Sequence, residues 1–510
     1  FNINKKVNIT DLGMKELLNN KIRYTNQIKI LKYLKINNQC LYSELIDISK
    51  SFRTTCKRLE ELNLINIYTR KIDNSRKPDT YTLTSEQIDI SKKIISDWKI
   101  NNKPALLSGI SGSGKTLIYI DLIKSFIKKT QDVIVLVPEI ALIKELYNIL
   151  DKYFPGLITS WHSKMKISEK KESLLKIKTN QAKIVISTRS GLFAPLSNLG
   201  LIVVDEEQES SYKEDGKSPY YNSRDVALMR ANFSNSKIIL VSSSPSLESF
   251  FNGKKNSFST YSLQNRFNKY NLPKTLIINM KNKENYGKGL GIISRKLIEE
   301  IENNLNNNKQ ILLLHNRIGD HIKKIENKIK DIFPNHHVAR YDRESVKVYG
   351  YNRLLNQFHE NKINILLGTQ MIAKGIDFKN VSLVGILNAD LGITSPDFRA
   401  DEKLFQLAYQ FIGRAGRHSN QSKAIIQTFN PDDIYIKSIY EYNIKQFYSY
   451  ILEDRKSLFY PPYSRLIRII VSSSKNSLAQ KKSNMLYDLF SQNKNLQIIG
   501  PSEAPIHQKN

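Results

Sequence analysis

A chain of 510 residues that is 40% hydrophobic and 25% charged has room for three or four domains with sizeable cores, and its balance is that of a soluble globular protein. No apolar run approaches the 18 or more residues of a membrane span and no secretory signal opens the chain, so the expectation is a cytoplasmic protein with no membrane partner. The net charge of +30 fits nucleic-acid binding but does not establish it, because Lys, Asn and Ile abound throughout, as composition bias alone would give.

The first residue is Phe1 rather than Met, which reads as a missing or processed N-terminus. Residues 1–19 are polar and remain unassigned. Residues 20–83 read as a winged-helix domain. Ile28, Leu31 and Leu34 share one helix face, and a short second helix falls near 42–46. A third helix turns Cys56, Leu59 and Leu62 inward with Arg53, Lys57 and Arg58 outward. Runs 64–71 and 81–83 then read as strands around a polar turn at 73–78. DNA contact and a purely structural linker both remain open for this unit. Cys40 and Cys56 have no metal-type spacing and read as buried or idle thiols of a reducing compartment.

From residue 84 strands and helices alternate. The runs 105–107, 133–137, 184–186, 201–204 and 238–241 are short and apolar, as strands of a parallel sheet buried on both faces should be. This set, residues 84–253, is a first lobe. Residues 254–288 are polar and read as an inter-lobe connection. The runs 311–314, 363–367, 381–387 and 424–428 make a second lobe over 289–442. Residues 443–510 read as an incomplete C-terminal domain with a strand at 466–471 and a helix around 479–490. The expected fold class is α/β: two tandem lobes on parallel sheets, an N-terminal winged helix and a partial α+β C-terminal domain.

Residues 109–116 match GxxxxGK[ST] between a predicted strand and a predicted helix. In that context Gly109, Ser111, Gly112, Ser113 and Gly114 supply a loop whose backbone N–H groups curl around phosphate. Lys115 reaches the β- and γ-phosphates, and the Thr116 hydroxyl ligates Mg²⁺. Strand 201–204 ends in Asp205, a second Mg²⁺ ligand, and Glu206, the candidate base for the attacking water. Gln208 is a candidate γ-phosphate sensor. Far downstream, QFIGRAGR at 410–417 places Gln410 beside Arg414 and Arg417, which share a helix face at i and i+3. Their guanidiniums can neutralise charge in a phosphoryl-transfer transition state if the nucleotide sits opposite. Bland alternatives exist for each piece, namely solvated strand-end acids and arginines in surface salt bridges. A complete phosphate loop upstream disfavours them.

A nucleotide site shared by two lobes becomes a motor if both lobes also grip a strand. Thr188, Arg189 and Ser190 in the first lobe and Thr369 and Gln370 in the second suit phosphate contacts that position without reading sequence. Tyr212 and Tyr221, just after the acidic motif, could stack on bases.

The order of these segments closely resembles the PriA family of bacterial replication-restart helicases. LTSEQ, SGSGKT, LVPEIALI, WHS, STRSGLFAPL, VVDEEQESSYK, SRDVALMRA and SPSLES follow the family's first-lobe signatures. HNRIG, RYDRES, ILLGTQMIAKGIDF, NADLG, PDFRADE and QFIGRAGR follow those of the second, and FYPPYSRL and IIGPSEAPI its C-terminal domain. The resemblance implies RecA-like lobes, with ATP and Mg²⁺ as cofactors and Gln87 and Gly375 joining the nucleotide site. It also implies 3′-to-5′ unwinding at stalled forks in primosome assembly and replication restart. The implied partners are single-stranded and forked DNA and the proteins that load the replicative helicase. The chain departs from the family at several points. The cysteine-rich module that binds two zinc ions has no counterpart between Asn316 and Phe333, so no zinc is expected. The family's DEEH is DEEQ here, SATP is SSSP at 242–245, and Tyr220 and Asn222 replace an arginine and a histidine. The family's N-terminal 3′-end-binding domain and last C-terminal strands are not present in the sequence. Two alternatives accompany the helicase reading: a translocase that no longer unwinds, and a fork-binding scaffold with a relic site. The intact Gly114, Lys115, Thr116, Asp205, Glu206 and Arg417 weigh against the scaffold.

Overall fold

The computed structural model describes residues 5–503, except 20–21, 23, 38, 43–44, 46–47, 50, 70–77, 215, 217, 269, 287–290, 317–319, 350, 374–377, 392–396 and 420. It begins with a small unit of β1 (Lys5–Ile9), α1 (Asp11–Leu18), α2 (Thr25–Asn37), β2 (Gln39–Leu41), α3 (Phe52–Glu61) and β3 (Ile65–Thr69). The strands form an antiparallel sheet in the order β2-β1-β3, with Val7 opposite Cys40 and Ile67. The expectation of a unit starting at residue 20 is therefore too short. The previously unassigned segment contributes the central strand, which polar KKVNI does not advertise. Ile30, Leu31, Leu34, Cys56 and Leu59 make the core, whereas Leu62, expected inward, caps α3 and is 43% exposed. The short helix expected at 42–46 falls partly outside the described residues, as does most of the turn at 73–78.

Residues 81–83 are not a strand, contrary to expectation. Tyr81 belongs to the first lobe instead. Its ring meets Tyr153 edge to face at 5.2 Å, and its hydroxyl donates to Asp121 Oδ1 at 3.0 Å. Burial, then the nearby Glu60 charge, pushes the Cys56 thiol up to about 12. Only a thiolate is a nucleophile. Iodoacetamide at pH 8 should therefore leave Cys56 unmodified in native protein and alkylate it after denaturation, read by mass spectrometry.

The first lobe runs α4 (Ser85–Ile100), β4 (Ala105–Gly109), α5 (Lys115–Ile127), β5 (Asp132–Leu136), α6 (Ile140–Tyr153), β6 (Ile158–Trp161) and α7 (Ile167–Lys178). It continues through β7 (Ile184–Ser187), β8 (Leu199–Asp205), α8 (Ser223–Phe233), β9 (Lys237–Ser242), α9 (Leu247–Lys254) and β10 (Ser259–Leu263). The sheet is parallel, in the order β10-β4-β9-β8-β5-β7-β6. Successive strand residues point to opposite faces. Leu107, Val133, Val135, Leu201, Val203 and Ile239 accordingly enter one core, and Leu106, Ile134, Ile202, Val204 and Leu240 the other. Burial on both faces explains the unbroken apolar runs. All five expected strands are present. The two extra strands lie at the sheet edges, where one apolar residue in two suffices.

The second lobe comprises β11 (Lys274–Asn279), α10 (Arg295–Asn306), β12 (Gln310–Leu314), α11 (Asp320–Ile332), β13 (Val338–Tyr341), α12 (Arg343–Tyr349) and α13 (Tyr351–His359). It adds β14 (Ile365–Gly368), β15 (Val381–Ile386), α14 (Ala400–Ile412), β16 (Lys423–Thr428), α15 (Ile434–Tyr440) and α16 (Ile444–Ser457). Its sheet is also parallel, in the order β11-β16-β15-β12-β14-β13. The expected connection at 254–288 instead contributes an edge strand to each sheet: β10 closes one lobe, β11 opens the other, and only 264–273 lie between. The expected boundary at 443 also moves. Phe447 stacks on Phe405 of α14 with ring centroids 4.3 Å apart, so the start of α16 belongs to the second lobe.

Residues 452–510 form a separate compact unit. It holds the expected helix as α17 (Asn476–Ser491). The strand expected at 466–471 is absent: the chain there is irregular, and Leu466, Ile467, Ile469 and Ile470 are exposed. A strand needs a neighbour to pair its backbone groups, and no described segment pairs with this one.

Candidate nucleotide and nucleic-acid site

The order β4-β9-β8 sets the carboxyl ends of three strands side by side. Residues 110–116, 242–245 and 205–208 therefore meet at one edge of the first sheet. Gly114 caps α5 with φ 77°, a left-handed conformation that suits glycine. A Cβ there would also collide with the Gln87 amide. Gln87 is buried, donates to the Ser113 carbonyl at 2.9 Å, and forms a capping box with Thr84 at the start of α4. Helix α4 thus buttresses the phosphate loop from behind.

Lys115 Nζ donates to the carbonyls of Gly109 at 2.8 Å and Ile110 at 3.3 Å. Burial pulls its pKa down, opposed by the charges of Glu206 and Asp205. Asp205 is pushed up to about 7 by burial and then by Glu206, with Lys115 opposing. Its carboxylate accepts from Tyr119 Oη at 3.2 Å and from the Glu206 N–H at 3.0 Å. A divalent cation held with Thr116 would favour the ionised form. Gln208 does not line the cleft. Its amide donates to Glu206 Oε2 at 2.7 Å and accepts from Ser242 Oγ at 2.5 Å. It ties the acidic motif to the loop after β9.

The second lobe closes the cleft through the C-terminal end of α14 and the turn after it. Arg414 and Arg417 lie in that turn and not on one helix face as expected, because the helix stops at Ile412 before Gly413. Arg417 donates to the Ser111 hydroxyl of the phosphate loop. Arg414 is buried, with Nε 3.2 Å from the Ala373 carbonyl. Gln410 Nε2 lies 3.5 Å from Ser244 Oγ. The approach is close because residue 413 is glycine: a Cβ there would come within 2.6 Å of Ser111 Cβ. The resulting cleft, about 370 Å³, gathers Lys115, Thr116, Asp205, Glu206, Gln410 and both arginines. Gly375 lies outside the described residues. Glycine-curled amides, an ammonium, a hydroxyl–carboxylate pair and two guanidiniums suit a magnesium nucleoside triphosphate. Arg266, Phe267, Asn268 and His418 also line the cleft. The sequence did not mark them: no motif covers residues 264–273, and His418 falls just past the QFIGRAGR segment.

A second network runs behind the first. Glu207 is buried and paired with Arg224 at 3.2 Å, and accepts from the Ser246 N–H at 2.7 Å and Ser249 Oγ at 2.9 Å. The next residue, Leu247, donates its N–H to Glu402 Oε1 of α14 at 2.9 Å. Arg224→Ala would strand a buried carboxylate, a loss of about 3–5 kcal/mol. It should appear as a lowered unfolding midpoint in urea.

The candidate strand-contacting residues divide. Arg189 is committed to its own lobe: it donates to the carbonyls of Ser211 at 3.2 Å and Lys213 at 2.9 Å and pairs with Glu214 at 2.9 Å. Thr188 precedes it, and Ser190 Oγ is buried. Tyr212 is 1% exposed and donates to the Asp205 carbonyl at 2.6 Å, so it is a core residue and not the stacking platform expected. Tyr221 is half-buried, edge to face with Phe193 at 5.8 Å. Phe193 and Tyr220 are 64% and 71% exposed and are the open aromatic faces here. Phe193 was missed because its flanking STRSGL reads as turn chemistry. In the second lobe Thr369 is buried, while Gln370 is exposed and reaches Asn316 at 3.2 Å. No cluster of three or more His, Cys, Asp or Glu suited to a metal occurs among the described residues.

A family model described as the res subunit of type III restriction enzymes matches residues 80–247, and one described as the helicase conserved C-terminal domain matches 293–419. Among solved structures, RecG bound to a three-way DNA junction superposes with a TM-score of 0.50 at 17% identity, covering 74% of this chain and 50% of that one. The DUF1998 helicase MrfA bound to DNA gives 0.51 at 15%, covering 71% and 51%. The two matched models fall on the two lobes that share the cleft, and the class they define is that of the ATP-dependent DNA helicases.

Sequence similarity narrows the class. The chain is 33% identical over 502 residues to the replication restart protein PriA of Rickettsia felis, covering 86% of this chain and 76% of that protein. It is 32% identical over 497 residues to PriA of Bacillus subtilis, covering 84% and 61%. The chain belongs to the PriA family of replication restart proteins.

Proposed function

We propose that the chain hydrolyses ATP with Mg²⁺ in this cleft and uses the cycle to unwind DNA in the 3′-to-5′ direction. Its substrates are single-stranded and forked DNA at stalled forks, in the cytoplasm. Its task is primosome assembly and replication restart, with the proteins that load the replicative helicase as partners. The observation that carries this reading is the bond from Arg417 of the second lobe to Ser111 of the phosphate loop, because catalysis then depends on how the lobes are closed. Asp205 and Thr116 hold the metal, Glu206 takes a proton from the attacking water, and Lys115, Arg414 and Arg417 neutralise charge on the transferring phosphoryl group. Gln87 supports the loop, and Gln410, with Gln208 behind it, reports closure to residues 242–244. On the DNA side, Phe193 and Tyr220 offer stacking faces beside Tyr221. Thr369 and Gln370 stand in the second lobe where a backbone grip is needed. No zinc is required.

ATP hydrolysis measured with and without forked DNA tests the motor. Folded protein whose turnover DNA does not raise would sink it. A second reading, translocation without unwinding, is favoured by α11, which alone spans from the residues after β12 to those before β13, where the family's zinc module would stand. Displacement of a labelled strand from forks with a 3′ or a 5′ tail separates the two readings and fixes polarity.

A further inference from the structure

Arg266 is 4% exposed, lines the nucleotide cleft and sits in the ten residues between β10 and β11. Its Nη2 donates to the carbonyls of Gly413 at 3.1 Å and Ala415 at 3.0 Å, and Nη1 to that of Asn271 at 3.2 Å. The buried Nε has no hydrogen-bond partner among the described residues. No carboxylate faces it among the described residues. Its charged neighbour is Arg417, and burial and that neighbour lower its pKa to about 10. The next residue, Phe267, donates its N–H to the Gly112 carbonyl of the phosphate loop at 2.9 Å. Two consecutive residues therefore fasten one end of a short connection to both halves of the cleft.

We propose that Arg266 is a positioning residue for Arg417: its guanidinium holds the 413–416 turn against the connection so that Arg417 meets the nucleotide. The proposal rests on the composite-site reading above. A guanidinium serves here because its planar fork reaches the 413–415 turn with Nη2 and the Asn271 carbonyl with Nη1 at once, which a single ammonium cannot do. A buried cation without a carboxylate is a poor choice for stability alone. Beside nucleotide phosphates the same charge is balanced.

The test is a double-mutant cycle on the full chain with Arg266→Ala, Arg417→Ala and the pair, repeated with Arg266→Lys should the alanine variant fail to fold. Turnover is measured with saturating DNA, and nucleotide affinity with a fluorescent ADP. A misplaced group can lose about 10²-fold in rate, so Arg266→Ala should lose roughly 10–100-fold in kcat with affinity changed less than about threefold. The double variant should be no slower than Arg417→Ala alone. Losses that multiply, unchanged turnover, or a loss confined to nucleotide affinity would each overturn the proposal. Full turnover in Arg417→Ala alone would instead remove the composite-site reading, and this role with it.

Discussion

Arg417→Ala should bind nucleotide as wild type does and lose about 10³–10⁵ in DNA-stimulated turnover, the range of arginine fingers. The guanidinium comes from the second lobe and donates to a hydroxyl on the phosphate loop. On the proposed reading, ground-state binding rests mainly on the loop, Lys115 and Thr116, all of the first lobe. What Arg417 adds grows with the charge on the transferring phosphoryl oxygens, so its removal acts on kcat. Single-turnover hydrolysis beside fluorescent-nucleotide titration checks the split. Full turnover in the variant would remove Arg417 from the mechanism.

Lys115→Ala should lose both binding and turnover, by roughly 10³ or more in kcat/KM, since removing one preorganised donor already takes about 10²–10³ from the rate. Among the described first-lobe residues lining the cleft, Lys115 is the one cation: Thr116 is neutral and Asp205 and Glu206 are acids. The fold should survive. Among the described residues Lys115 donates to two loop carbonyls and forms no ion pair, and burial works against its charge. An unchanged thermal midpoint with abolished nucleotide binding is the expected pair of results. Retained binding would show that the backbone loop alone holds the phosphates.

Much of the site was legible because its residues are fixed by local chain geometry. A glycine-rich turn before a helix and acids at the end of a buried strand need only their own neighbours to be positioned, whereas Arg414 and Arg417, expected on one helix face, lie in the turn after α14. The residues that escaped are set by long-range contacts. Arg266 lies in polar sequence without period, and only β10 and β11 as sheet edges bring it to the cleft. Tyr212 reads as an accessible aromatic until its hydroxyl is seen satisfying the Asp205 carbonyl. The same holds for the fold. The two-faced strands of both sheets declare themselves by apolar runs, whereas β1, β6 and β10 show one or two apolar residues each. Tyr81–Leu83 alternates like a strand, but Tyr81 anchors to Asp121 and Tyr153 instead.

The short run from β10 to β11 bears on mechanics. Fully stretched, ten residues reach about 35 Å. Here, however, they are caught near one end by Gly112 on one side and Gly413 and Ala415 on the other. While these bonds hold, the halves are expected to pivot near residues 266–267 rather than slide apart. A pivot beside the nucleotide would leave the long lever arm on its far side, so that a small travel at the phosphates would become a larger stroke at distant loops.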